Sequence, residues 1–471
     1  MVTLQETTHV NRALDECFAY VADFRSSAEW DATAFEAEKL TDGPVALGTT
    51  FKVRCSLPVG SVVIDYRVSE YETDKKISLE ASCWLFDGVD TISFAADGER
   101  TRIDYRADFN FRAPFTYLEG VLQRGMRGMG RKAVEGLREA LEDDFETPST
   151  SRGTARADRL LWPGLALFSK LGYKRGRRHF NPISACQRGR RIVLTGASSG
   201  LGLATARDLA ARGADLVLVM RNERKAMKVV RELHTESGNT NIRYEIADLS
   251  LMRDVDALAE RLLVEGRPID VLINNAGALF NEWGETDEGV EQSFALLLLS
   301  PWRLTRALLP LLREAQGRVV NVISGGMYSQ RLNVDRLEAQ PEGYSGAKAY
   351  ARCKRALMVV TEEWATDWAG DGVVVNAMHP GWADTPGVES SLPGFHRLTK
   401  RILRTPEEGA DTIVWLAAAT EAGEVSGKLF LDREPRTTHL LDRTREKDGG
   451  AERKRLLEFL EHYDVEERAA A

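Results

Sequence analysis

The sequence predicts two folded bodies in one chain: an α+β domain at the N-terminus and, behind it, an α/β domain with a doubly wound parallel sheet. Three observations carry this reading. The chain has 471 residues, too many for one ordinary hydrophobic core. From residue 191, β-branched runs alternate with amphipathic helical stretches, the pattern of a parallel sheet covered on both faces. Before residue 147 the apolar period is two instead, and a long helical stretch closes the region.

Within residues 1–147, Asn11 is placed to cap the stretch RALDECFAYVADF, where Leu14, Phe18 and Val21 recur at helical spacing. In IDYRADFNF (103–111), Ile103, Tyr105, Ala107, Phe109 and Phe111 alternate with polar residues as a half-buried strand does. TDGP (41–44) and ADGER (96–100) are turn signals. A helix is expected from about 115 to 144, weakened by Gly120, Gly125, Gly128 and Gly130. It is the natural cover for one sheet face. No acid–base pair is legible here, so no catalysis is expected of this region. VADFRSSAEWD (21–31), DGPVALGTTF (42–51) and the closing helix resemble the polyketide cyclase/START-like superfamily. The resemblance implies a helix-grip fold, a curved sheet around the long helix, with an apolar cavity for a hydrophobic ligand.

Residues 148–190 are expected to be a connector. ETPSTSRGTARAD (146–158) is polar and turn-rich. The net charge of −8 is unevenly spread: the connector carries +9, against −10 over 1–147 and −7 over 191–471. Cationic charge confined to a connector is not a nucleic-acid face, so no nucleic acid is expected as a partner. The connector also holds Leu160, Leu161, Trp162, Leu165, Leu167 and Phe168. Three readings stand open. These residues pack on the second domain; or the 152–190 stretch touches an anionic membrane, with Trp162 and Phe168 in the interface; or the segment is a tether that leaves them exposed. No apolar run reaches the roughly 18–20 residues that cross a bilayer, and the N-terminus lacks a signal pattern. Five scattered cysteines without a CxxC point to a reducing, cytoplasmic setting. Seven histidines form no HxxxH, so no metal is expected. His379, before Pro380-Gly381, reads as structural.

TGASSGLG (195–202) follows the first strand of the second domain and opens its first helix. Gly196, Gly200 and Gly202 allow a sharp turn and let a pyrophosphate reach the helix N-terminus. With this turn the chain resembles the short-chain dehydrogenase/reductase family, and further matches follow in order. The resemblance implies that Gly196, Ser198, Ser199, Gly200, Leu201 and Gly202 hold a dinucleotide, and that Asp248 and Leu249 meet adenine. It implies that Asn275, Ala276 and Gly277 line the nicotinamide ribose, and that Pro380, Gly381 and Thr385 close over nicotinamide and phosphates. Ser324, ending VVNVIS, matches the catalytic serine. The stretch 168–440 is most similar to the member 12 group of that family, which supplies no substrate.

YSGAKAYARCK (344–354) holds two overlapping Tyr-x-x-x-Lys pairs, Tyr344/Lys348 and Tyr350/Lys354. A six-residue offset turns the second about 240° from the first on a helix, so both cannot face one site. Lys354 precedes Pro380 by 26 residues, the family's usual spacing, and the register through Ala356, Leu357 and Thr361 fits only the second pair. Tyr350 and Lys354 are therefore the expected catalytic pair, both also touching cofactor. Tyr344 and Lys348 are expected in the preceding loop or first turn, solvated. The Lys354 charge, together with the positive nicotinamide, is expected to favour the Tyr350 phenolate. One departure stands out: Leu297 occupies the place where many members carry an asparagine of a proton relay.

Arg221, after the second strand, suits a 2′-phosphate, so NADP is expected over NAD. The expected boundaries are 1–147, 148–190, 191–440, and a surface helix in 441–471 that packs through Leu456, Leu457 and Leu460. The whole reads as an NADP-dependent short-chain dehydrogenase/reductase that interconverts a lipophilic carbonyl and alcohol, fused to a hydrophobic-ligand domain. A homo-oligomer is compatible with it. The alternative is a non-enzymatic NAD(P)H-binding lipid sensor.

Overall fold

The computed structural model describes residues 2–31, 33–56, 61–98, 100–113, 119–142, 147–158, 166–177, 180–181, 183, 187–384, 397, 399–400, 402–440 and 449–465, the side chains of 35, 56, 119–129 and 449 excepted. Thr385, Leu160, Leu161, Trp162 and Leu165 lie outside the described residues. The chain divides into two compact units: the first is built on residues 1–146, with 178–186 and 235–238, and the second on the remainder.

The first unit is a seven-stranded antiparallel sheet in the order β1-β7-β6-β5-β4-β3-β2. The strands are β1 (Val2–Val10), β2 (Ala34–Lys39), β3 (Thr50–Ser56), β4 (Ser61–Glu72), β5 (Lys76–Ser82), β6 (Phe86–Asp97) and β7 (Arg100–Phe111). Along β7 every second side chain from Thr101 to Phe111 is buried, as the alternation predicts. The long helix Glu119–Glu142 packs chiefly on β1 and on the short helix Ser27–Trp30. Its Ala133, Val134, Leu137, Ala140 and Leu141 join the core. The first helix is Leu14–Ala22, and its N-cap is Ala13 with no side-chain cap bond. Asn11 therefore does not cap it, because the chain is still leaving β1 at that point.

The second unit is an eight-stranded sheet in the order β10-β9-β8-β11-β12-β13-β14-β15. Its strands are β8 (Arg191–Thr195), β9 (Asp215–Met220), β10 (Ile242–Ile246), β11 (Val271–Asn274), β12 (Arg318–Val322), β13 (Val374–Met378), β14 (Leu429–Leu431) and β15 (Glu434–Arg436). All neighbours pair in parallel except β14 and β15. This is a Rossmann-type doubly wound sheet whose strand order reverses between β8 and β11. Ligands bind at such a reversal, beyond the carboxyl ends of the strands. The helical stretch Gln292–Glu314 is long and apolar enough to cross a membrane, yet Phe294, Leu298, Leu308 and Leu312 are wholly buried in the core. The helix Gly449–Glu461 packs through Leu456 and Leu460, with Leu457 partly buried.

Residues 147–177 fold with the second unit. The helix Arg152–Asp158 ends in a carboxylate that takes the Arg436 guanidinium, with Nε at 3.0 and 2.9 Å from the two oxygens. Both side chains are buried. Leu167, Phe168 and Ser169 give their carbonyls to Arg404, at 2.7, 3.0 and 3.3 Å. Phe168 is 1% exposed and sits edge-on to His379 and Trp382. The expectation that Phe168 dips into a membrane, or is left exposed on a tether, is thereby corrected: its ring is already inside the protein.

Candidate active site

Six parallel strands deliver the candidate residues to one edge of the second sheet. Gly196 follows β8, Arg221 follows β9, Asp248 lies two residues beyond β10, Asn275 follows β11, and Ser324 and Pro380 lie two residues beyond β12 and β13.

The glycine turn is fastened to the end of β11. Thr195 Oγ1 donates to Ile273 O at 3.1 Å and accepts from the Asn275 and Ala276 amides at 2.9 and 3.0 Å. Asn275 Nδ2 donates to the carbonyls of Thr195 and Gly196, at 2.8 and 3.2 Å. Gly196 has φ +73°, and a Cβ there would lie 2.8 Å from Ala276 Cα. A Cβ on Gly202 would lie 2.2 Å from Gly196 O, so only glycine lets the helix Gly200–Ala211 start so close to the strand. The N-cap Ser199 makes no side-chain cap bond, which leaves the first-turn N–H groups to a bound anion. Ser198, Gly200 and Leu201 are partly exposed beside it, so the turn fits a pyrophosphate.

Asp248 accepts from the Ser250 amide and hydroxyl, at 3.0 and 2.7 Å, and Leu249 is buried. Arg221 is exposed and makes no ion pair among the described residues. Ala276 and Gly277 are accessible after Asn275, and Pro380 and Gly381 are partly exposed on the other side.

The helix Gly346–Asp367 carries Tyr350 and Lys354 one turn apart. Tyr350 is half-buried, and Ser324 lies beside its helix: a Cβ on Gly326 would lie 3.5 Å from Ser324 Oγ and 3.9 Å from Ala351 Cβ. Ser324 Oγ also accepts from the Gly326 amide at 3.2 Å, which fixes it at the mouth of a short turn. Lys354 is 3% exposed and donates to Val322 O at 2.8 Å. Burial pulls its ammonium down to about 8. Burial also pushes the Tyr350 phenol up to about 12, against the pull of Ser324. The phenolate expected with Lys354 and the nicotinamide together belongs to the cofactor complex; in the protein alone desolvation raises the phenol. His379 is wholly buried and held neutral, well below its ordinary range, as a structural residue would be.

The other pair is elsewhere. Lys348 lies exposed in the first turn, as expected. Tyr344 corrects the expectation of a solvated side chain: its hydroxyl lies 3.2 Å from Phe280 O, 3.1 Å from Ser293 Oγ and 3.3 Å from Glu291 Oε1. Leu297 is wholly buried in the π-helical turn Ala295–Leu299. A Cβ built on Gly277 would lie 3.1 Å from Leu297 Cδ2 and 3.8 Å from Lys354 Nζ, so the leucine does stand beside the lysine.

Two contributions were not foreseen. Thr195 was read only as the start of a glycine motif, yet its hydroxyl holds β8 to β11. Phe168, from the connector, packs within 2.9 Å of a Cβ position on Gly325, directly behind Ser324. Nothing in the local sequence pairs these two segments.

Comparison with known proteins defines the class. A family model described as short chain dehydrogenase matches residues 190–394, and one described as polyketide cyclase/dehydrase and lipid transport matches residues 1–142. The chain belongs to the short-chain dehydrogenase/reductase family and is an NAD(P)-dependent oxidoreductase acting on alcohol and carbonyl groups. Among individual proteins, it is 42% identical to dehydrogenase/reductase SDR family member 12 of Bos taurus, spanning 94% of that protein and 63% of this chain. It is 31% identical to retinol dehydrogenase 13 of Homo sapiens, over 78% of that protein and 53% of this chain. Both matches leave a large part of this chain outside.

Proposed function

We propose that the second unit is an NADP-dependent reductase of a lipophilic ketone or aldehyde, working reversibly on the alcohol, with Ser324, Tyr350 and Lys354 as its catalytic residues. The placement of Ser324 beside the helix that carries Tyr350 and Lys354, on the strand edge that also bears the glycine turn, is the observation that carries it. The Ser324 hydroxyl orients the substrate oxygen. Tyr350 Oη gives that oxygen its proton in reduction and takes it back in oxidation. When bound, the nicotinamide supplies or accepts the hydride at the carbonyl carbon. Lys354, desolvated and anchored on Val322 O, would hold the ribose hydroxyls. Gly196, Ser198, Ser199, Gly200, Leu201 and Gly202 would hold the pyrophosphate, Asp248 and Leu249 the adenine, and Asn275, Ala276, Gly277, Pro380 and Gly381 the nicotinamide side. Arg221, exposed and without an ion pair among the described residues, supports a 2′-phosphate and hence NADP.

The first unit is proposed to hold a small hydrophobic ligand, supported by the lipid-transport family model over residues 1–142. The buried thiols Cys17, Cys55, Cys83 and Cys353 suit a reducing, cytoplasmic setting.

Leu297 favours a second reading, in which the chain binds cofactor without turnover. Against it, a cavity of about 10 Å³ lies beside Lys354, lined also by Thr195, Asn274 and Ser300. Space of that order accommodates one water with polar partners, which can stand in for a side chain in a relay. Purified protein incubated with NADPH and a panel of long-chain aldehydes and ketones decides between the two. Oxidation of NADPH supports the reductase; NADPH binding without oxidation across the panel supports the sensor.

A further inference from the structure

The first unit buries a carboxylate in the middle of its apolar face. Asp90, on β6, is 2% exposed and is the one fully buried acid among that unit's described residues. Among the described residues its Oδ1 has no hydrogen-bond partner. An orphaned buried acceptor costs free energy unless something supplies a donor.

The register shows what surrounds it. Asp90 pairs with Leu79 of β5 and Ala107 of β7, and Leu79 pairs with Val68 of β4. One step along the sheet on the same face are Tyr66, Ala81 and Gly88, joined in register across β4, β5 and β6. One step the other way is Tyr105, opposite Ile92. Tyr66 and Tyr105 thus flank the Asp90 carboxyl on one face of the sheet. Phe24 fixes the Tyr66 ring, with centroids 4.7 Å apart. Asp31 faces the same cluster, but its carboxylate is occupied by the Thr33 amide and hydroxyl, both at 2.8 Å.

Leu79 and Ala107 are directly opposite Asp90 in the register, with Ala81 on the diagonal, and Gly88 precedes it on the same face, with a Cβ position 3.1 Å from Phe109 Cδ1. The long helix makes its main contacts at β1 and at Ser27–Trp30, towards the two edges of the sheet, while Tyr66, Asp90 and Tyr105 sit on strands between them. Apolar Ile64, Val68, Ile77, Ile92 and Ile103 surround the cluster on the same face.

We infer that Asp90, framed by Tyr66 and Tyr105, is the polar anchor of a ligand site in the first unit, and that it accepts a hydrogen bond from the hydroxyl of an otherwise apolar alcohol. This rests on the reading of that unit as a hydrophobic-ligand domain. A neutral donor suits the position better than a cation, because the surrounding face would have to desolvate the cation's charge as well. An alcohol donates to a carboxylate oxygen, whereas its ketone or ether cannot. The site would thus select the alcohol form of the compound class on which the second unit acts.

The test uses the full chain, stripped of bound lipid, and three probes of one length: dodecan-1-ol, its methyl ether, and dodecan-1-amine, followed by calorimetry. Wild-type protein is expected to bind the alcohol at least tenfold more tightly than the ether. Asp90→Leu should bring the two within about twofold while the ether affinity stays put. Asp90→Asn, which keeps the shape, provides the second variant and should cut the preference at least threefold. Tyr350→Phe should leave the preference intact, which separates this site from the one in the second unit. Equal binding of alcohol and ether to the wild type, or a preference that survives both Asp90 variants, would overturn the anchor while leaving the hydrophobic-ligand reading in place. Failure of all three probes to bind would overturn that reading and the anchor with it. An Asp90-dependent preference for the amine over the alcohol would overturn the hydroxyl assignment.

Discussion

Lys354 Nζ lies 5.9 Å from the centroid of the Tyr350 ring, on the same helix face, and Tyr344 has no such neighbour because Lys348 points to solvent. The Tyr344 hydroxyl instead bridges Phe280, Glu291 and Ser293. Tyr344→Phe is therefore expected to lower stability by about 1 kcal/mol, the net worth of one hydrogen bond, with kcat nearly unchanged. Thermal melts and steady-state rates on the same preparation check both halves. A large loss of kcat with unchanged stability would reassign the catalytic role to Tyr344.

Arg221→Ala should weaken NADPH by about 1.5–3 kcal/mol, the size of a charge-assisted hydrogen bond, and barely alter NADH. Fluorescence titration with both cofactors measures it. Equal losses for the two would make Arg221 a structural residue.

Burial pushes the Asp90 carboxyl up to about 7, against the pull of Tyr105 and Tyr66. A raised carboxyl contributes stability that is fully present below its unfolded value near 4 and is lost as pH rises through 7. Asp90→Asn cannot ionise, so it should gain on the wild type between pH 4 and 7, by about 2–4 kcal/mol at the upper end. Denaturant melts of the first unit's transition at pH 4.5 and 7.5 measure the difference. A variant that falls behind the wild type as pH rises would mean that Tyr66 and Tyr105 stabilise the carboxylate.

Asp158→Ala would leave the Arg436 guanidinium buried without its partner. Breaking a buried pair from one side costs about 3–5 kcal/mol. Because this pair fastens residues 152–158 to β15, the variant should also become sensitive to proteolysis between 147 and 177. Resistance equal to the wild type would show that the segment is held by its other contacts, among them the carbonyls on Arg404.

What could be read in advance follows from how local each signal is. The glycine turn, Ser324 and the Tyr350/Lys354 pair each sit in a short stretch whose spacing reports its own geometry, and the βαβ alternation orders the sheet around them. Other features depend on residues far apart in sequence. Asp158 meets Arg436 across 278 positions, and Tyr344 meets Ser293 across 51. Asp90 looked like one more acid between Val89 and Thr91, and only the register of β4, β5, β6 and β7 sets it inside with Tyr66 and Tyr105. For a related reason, helical spacing shows the charge next to the Tyr350 phenol but not its depth of burial, which raises it in the protein alone.

Single-turnover oxidation of NADPH by excess enzyme, with a long-chain aldehyde or ketone at saturation, tests the central claim most directly when run on wild type and Tyr350→Phe together. The wild type is expected to convert the carbonyl to its alcohol. The variant should bind NADPH with similar affinity and lose at least a hundredfold in rate, as removal of a proton-transferring group does. Equal rates for the two proteins, or an NADPH complex that never turns over any carbonyl in the wild type, would contradict the account.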